Sequence, residues 1–138
     1  MGKTMRLIIL LSILAGITAS TASAQECAAD DESQTGMNIC ANADYQAADT
    51  KLNQTYGQIM KRLSDDADGR KRLQAAQRAW IAFRDADCAF SASGAEGGSI
   101  YSMIMAGCLE GLTETRAEQL GLYLQCEEGD MSCPVPLE

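Results

Sequence analysis

Between residues 37 and 63 the larger or apolar side chains fall at Met37, Ala41, Tyr45, Ala48, Leu52, Tyr56, Ile59 and Leu63, in steps of three and four throughout. That spacing is one face of an α-helix, and Asp44, Gln46, Lys51, Gln54 and Gln58 fall between as its solvated side. Thr35 or Asn38 is the expected cap. The run Ser64-Asp65-Asp66-Ala67-Asp68-Gly69 then breaks the pattern with turn formers. Leu73, Ala76, Trp80, Phe83 and Phe90 resume it, so a second helix is expected over about residues 70–90. So short a connection favours antiparallel neighbours, and the tip aspartates suit the positive end of the second helix. Residues 91–99, with Gly94, Gly97 and Gly98, read as a flexible loop. A third helix is expected over about residues 100–125 on Ile104, Cys108, Leu112, Leu120 and Leu124, with Arg116 on the same run of fours. Gly107, Gly111 and Gly121 weaken it, and the segment from Cys126 onward, with Pro134 and Pro136, reads as irregular. No internal repeat or strand-like alternation is present. The expected fold class is therefore all-α: a small disulfide-stapled bundle of about three helices with irregular termini.

The N-terminus changes the picture of where this bundle works. Lys3 and Arg6 precede the largely apolar residues 7–17, and Ala22-Ser23-Ala24 follows. This is the pattern of a signal peptide cleaved after Ala24, since a membrane span needs about 20 apolar residues. Ile17, not cysteine, follows Leu14-Ala15-Gly16, so no lipid anchor is expected and the product is periplasmic or secreted. The expected parts are residues 1–24 as the leader, 25–125 as one helical domain, and 126–138 as an acidic tail closed by a disulfide loop. Loss of Lys3 and Arg6 moves the formal charge from −8 to −10. That balance disfavours nucleic acid and, once the leader is gone, membrane surfaces, and it favours a basic partner. Solubility alone also accounts for it.

Six cysteines in a short exported chain imply three disulfides. The chain has no histidine and no Cys-x-x-Cys pair, so zinc is not expected. Cys126 and Cys133 would close a local loop, leaving Cys27, Cys40, Cys88 and Cys108 for the bundle. In an antiparallel hairpin Cys40 and Cys88 share the open end. Cys27–Cys88 with Cys40–Cys108 is slightly preferred over Cys40–Cys88 with Cys27–Cys108.

Asp49 and Asn53 stand one turn apart on the first helix, and Gln77 and Arg84 two turns apart on the second. A buried Asp49–Arg84 pair across the hairpin would satisfy these groups and fix the register of the two helices. This structural role outweighs partner contact. Trp80 is expected in the core with Leu73, Ala76 and Phe83, and Arg116 is expected to cap or to pair with an acid. Without histidine or a free thiol, and with Asp85/Asp87 and Glu127/Glu128 expected on the surface, the chain reads as a non-enzyme with no cofactor. Two loops are candidates for partner binding: Gly97, Gly98 and Ser99, and the acidic Glu127, Glu128 and Asp130. A disulfide would preorganise the second, although a tail tied down against proteolysis is the weightier reading.

A wider set of residues carries a resemblance. Ala48-Asp49-x-x-Leu52-Asn53-x-x-Tyr56 is followed by Leu73-x-x-Ala76-Gln77-Arg78-Ala79-Trp80-x-x-Phe83-Arg84-Asp85-Ala86-x-Cys88. With them stand Met37-Asn38-x-Cys40-Ala41, Gly97-Gly98-Ser99 and Cys108-x-x-x-Leu112-Thr113-x-x-Arg116-x-x-x-Leu120. Over roughly residues 27–120 the chain resembles the LprI-type lysozyme-inhibitor family. The resemblance implies a helical envelope protein that inhibits lysozyme-type muramidases by protein–protein binding, its partner a basic lysozyme. The alternative is an envelope structural or interaction module unrelated to lysozyme. The lipobox of the family's lipoprotein members is absent here, and the pattern implies no particular oligomeric state.

Overall fold

The computed structural model describes residues 27–137; the expected leader, residues 1–24, lies outside them. Three helices, α1 (Gln34–Arg62), α2 (Ala67–Ala92) and α3 (Tyr101–Tyr123), are joined by a tight turn and by a 3-10 turn (Ser93–Ala95) with a short loop. There is no strand among the described residues, and the fold is the expected all-α bundle. No described helix is long and apolar enough to cross a membrane.

The start of α1 is set by Ser33, whose Oγ accepts the Gly36 amide at 3.1 Å. Thr35 and Asn38, the expected caps, are already helical. Asp31 accepts the Ser33 amide at 3.0 Å and lies so close to Gly36 that a Cβ there would collide with it. This preceding turn moves the cap upstream. Asn38 instead donates from Nδ2 to the Ser99 carbonyl at 3.0 Å. At the tip, Asp66 caps α2 by accepting the Gly69 amide at 2.8 Å, as the cluster of aspartates implied.

The topology is up-down-up. The Asn38–Ser99 bond ties the beginnings of α1 and α3, and a 3.1 Å bond from the Arg62 guanidinium to the Leu124 carbonyl ties their ends. These two helices therefore run parallel, with α2 antiparallel to both. α1 packs most closely on α3, while α2 rests on α3 and stands off from α1. Small buried residues, Ala48 on α1 and Ala106, Thr113 and Ala117 on α3, suit a close backbone approach. The core joins Leu52, Ile59 and Leu63 of α1 to Ala117 and Leu120 of α3, with Tyr56, Leu73, Trp80 and Leu124 around it.

Several expectations need correction, and one cause accounts for most of them: α3, not α1, is the close neighbour of α2. The deepest face of α3 is Ala106, Thr113, Ala117 and Leu120. Of the anticipated row, Leu120 is fully buried and Leu124 packs against the core, whereas Ile104, Cys108 and Leu112 are only half-buried, with Cys108 and Arg116 directed to α2. On α2 the inward face ends in Arg84, Cys88 and Ala92, so Phe83 and Phe90 are 56% and 80% exposed. Ala76 is also exposed. Neither expected cross-pairing of the cysteines occurs. Cys27 turns back onto Cys40, with Cα atoms 4.6 Å apart, and the fully buried Cys88 meets Cys108 at 5.5 Å. The Cys126–Cys133 pairing is as expected, at 5.9 Å. The tail it closes is irregular, but it also contributes to the core: Val135 is buried against the ends of α1 and α3.

Candidate functional site

The polar residues singled out in the sequence assemble around Trp80. Arg84 is only 7% exposed. Its Nε donates to Asp85 Oδ1 at 2.9 Å and its Nη2 lies 2.8 Å from the same oxygen. Nη1 reaches Thr113 Oγ1 at 3.4 Å and stands 3.9 Å from Asp49 Oδ1. Asn53 holds Asp49 in place by donating to its Oδ2 at 2.8 Å. The guanidinium also lies against two rings, 5.6 Å from the centre of Tyr45 and 5.1 Å from that of Trp80.

Arg116 approaches the same indole at 5.9 Å. Its Nε donates to Gln77 Oε1 at 3.2 Å and its Nη1 to Gln119 Oε1 at 3.3 Å. The expected Asp49–Arg84 pair is thus present, but Asp85 takes the shorter contacts, and Gln77 serves Arg116. Trp80 is half-buried between two arginines. Among the described residues no buried side-chain nitrogen or oxygen lacks a partner, and no group of three or more His, Cys, Asp or Glu is placed to hold a metal. Every described cysteine is in a disulfide.

The two candidate loops lie at opposite ends of the bundle. Gly97 adopts φ +78°, a conformation that favours glycine, and Ser99 is held by Asn38 at the open end. Gly98 is exposed between them. Glu127, Glu128 and Asp130 are exposed near the hairpin end. There Asp130 accepts the amide and hydroxyl of Ser132 at 2.8 and 2.6 Å, which hold its carboxyl below the usual range.

A feature the helical pattern hid is the distribution of charge. Residues 27–50 and 85–115 carry ten aspartates and glutamates and no lysine or arginine. Residues 51–84 carry eight lysines and arginines. Because of the up-down-up topology, the two acidic stretches fold to the same open end. On its α1–α3 flank, Asp44, Glu110 and Glu114 lie close enough that partial burial, then the charges of Asp44 and Glu114, push the Glu110 carboxyl above its ordinary range. The segments flanking the tail loop meet bases: Arg62 bonds to Leu124, and Arg72 lines a groove with Pro134 and Val135.

The family model for the lysozyme inhibitor LprI matches residues 24–120. The chain belongs to the LprI lysozyme-inhibitor family. As an LprI-family protein it is 39% identical over 107 residues to an uncharacterized protein of Rhizobium meliloti (strain 1021), an alignment covering 70% of this chain and 77% of the relative. It is 28% identical over 112 residues to the uncharacterized protein YecT of Escherichia coli (strain K12), covering 72% and 69%. A crystal structure of a DUF1311 family protein from Pseudomonas putida KT2440 superimposes with a TM-score of 0.59 at 28% identity, covering 64% of this chain and 91% of that one. The LprI match takes in the Arg84–Trp80–Arg116 assembly, the open end and the Cys27–Cys40 and Cys88–Cys108 disulfides. It stops before the tail loop.

Two outcomes follow for this LprI-family bundle. Arg84→Ala leaves the buried Thr113 hydroxyl without its partner and removes packing against Tyr45 and Trp80, which costs about 2 kcal/mol and lowers Tm by about 8 °C or more. Arg84→Lys recovers only part of this, since an ammonium lacks the fork and the stacking plane. Glu110→Gln acts oppositely. A carboxyl whose folded pKa is raised loses stability as pH rises through that value, so the variant melts above wild type at neutral pH. The two converge at about pH 3, where the carboxyl is protonated whether folded or unfolded. Thermal melts against pH check both.

Proposed function

We propose that this protein is an exported, non-enzymatic inhibitor of lysozyme-type muramidases that binds a basic enzyme through the acidic open end of its bundle. The observation that carries the reading is the LprI family match over the three-helix domain. The leader-like residues 1–24 and the three disulfides support an oxidising compartment outside the cytoplasm.

The charge pattern supports the choice of surface. Asp44, Glu110 and Glu114 form an acidic face on the α1–α3 flank, and the Gly97–Gly98–Ser99 loop lies at the open end, where Asn38 holds Ser99. A cationic cleft rim gains most against such a face, both in encounter rate and in orientation. The closely spaced carboxylates of Glu110 and its neighbours repel one another in the free protein, and a partner's arginines or lysines would relieve that repulsion. Glu127, Glu128 and Asp130 are weaker candidates for the same role, because they lie outside the family match. In this account the tail loop instead seats Val135.

Titration of the oxidised protein against chicken-type and goose-type lysozymes at low and physiological salt tests the proposal. Saturable inhibition that weakens with salt is expected for at least one class. Replacing Asp44, Glu110 and Glu114 by their amides should weaken it by about tenfold, while the same change at Glu127, Glu128 and Asp130 should alter it by about twofold or less. No inhibition by excess protein would leave the envelope interaction module as the better reading.

A further inference from the structure

The outer face of α2 carries a second apolar stripe that no part of the described chain covers. Ala76, Ala79, Phe83, Ala86 and Phe90 are all exposed and recur in alternating steps of three and four, the spacing of a seam between paired helices. Phe83 and Phe90 are the large members, at 56% and 80% exposure. At the other end of the same helix, Gly69, Arg72, Leu73 and Ala76 form one wall of an apolar groove of about 220 Å³, closed by Ile59, Leu63 and Val135. Each molecule therefore presents both a protruding phenyl ring and a cleft of a size to take one.

We infer that this face pairs with a second copy of the same chain, two α2 helices packing antiparallel about a twofold axis near Ala79. That register sets Phe83 against the partner's Ala76, and it sets Phe90 against the partner's Gly69 at the mouth of the groove, so each large residue meets a small one. It also sets Arg72 opposite Asp87. Both are exposed, and neither pairs with another described residue. A parallel pairing would oppose Arg72 to Arg72 and Asp87 to Asp87, so the charges select the antiparallel form. The contact is isologous and closed, with two copies of the same phenyl-in-groove anchor. Residues 69–90 extend about 33 Å as a helix. Their pairing buries on the order of 1,000 Å², near the lower limit for a specific interface, so the dimer is reversible. Glu110 lies two positions from Cys108, about 200° around α3 from the side that faces α2, so dimerisation leaves the acidic flank open.

Sedimentation equilibrium of the oxidised full chain over about 1 μM to 1 mM tests this. The weight-average mass should rise about twofold across the range. Phe90→Asp and Ala76→Trp, one removing the anchor and one filling its groove, should each keep the mass monomeric with helical circular dichroism unchanged. Arg72→Asp and Asp87→Arg should each weaken the dimer by about tenfold, and the two together should restore it. A mass that stays monomeric at every concentration would overturn the inference, as would a dimer indifferent to Phe90→Asp. So would a charge-reversed pair no stronger than either single change.

Discussion

A guanidinium buried among three helices is the constraint from which much else follows. Arg84 cannot lose its charge, so the fold must supply acceptors and ring faces around it. Asp85, Asp49 and Thr113 supply the oxygens, and Tyr45 and Trp80 supply the rings. These partners come from all three helices. The rotation of α2 about its axis is thereby set, and Cys88, one turn beyond Arg84, is directed at Cys108 on α3. Arg116 repeats the device at the same indole. The room that Trp80 and the arginines occupy is consistent with α2 standing off α1 while resting on α3.

The helices were legible because their apolar spacing is regular over many turns, and because the aspartates at the tip and the glycines near residue 97 interrupt it where the chain reverses. The partners of those helices were less legible. A periodic face shows that something must cover it, without saying what. The row of Ile104, Cys108 and Leu112 looked like one buried stripe because its spacing is helical, but α3 packs on both α1 and α2. With two neighbours its deepest residues are Leu120, which the pattern included, and Ala106, Thr113 and Ala117, two of them alanines that hydrophobic size would not select. The cysteine pairing failed for the same reason, since it placed α1 beside α2 at the open end. Val135 was hidden in a proline-flanked segment that carries no period at all.

The connections among the polar residues were only partly legible. Asp49, Asn53, Gln77, Arg84 and Arg116 all belong to the assembly around Trp80, but spacing could not show that Asp85, adjacent in sequence, would take the closest contact with Arg84. The acidic pole needed no structure to be counted. It needed the topology to show that residues 27–50 and 85–115 meet at one end, because charge blocks matter only after the chain has been folded back on itself.

The proposed function rests on a related partition. Arg84 is enclosed by the helices, whereas the proposed lysozyme-binding carboxylates lie on the α1–α3 flank, away from the α2 stripe. Amide chemical-shift mapping of the isotope-labelled protein during titration with a basic muramidase tests this division most directly. Shifts concentrated around Asp44, Glu110 and Glu114, with Trp80 and Arg84 quiet, are the expected result. Shifts centred on the Cys126–Cys133 loop or on Trp80, or a spectrum unmoved by excess enzyme, would contradict it.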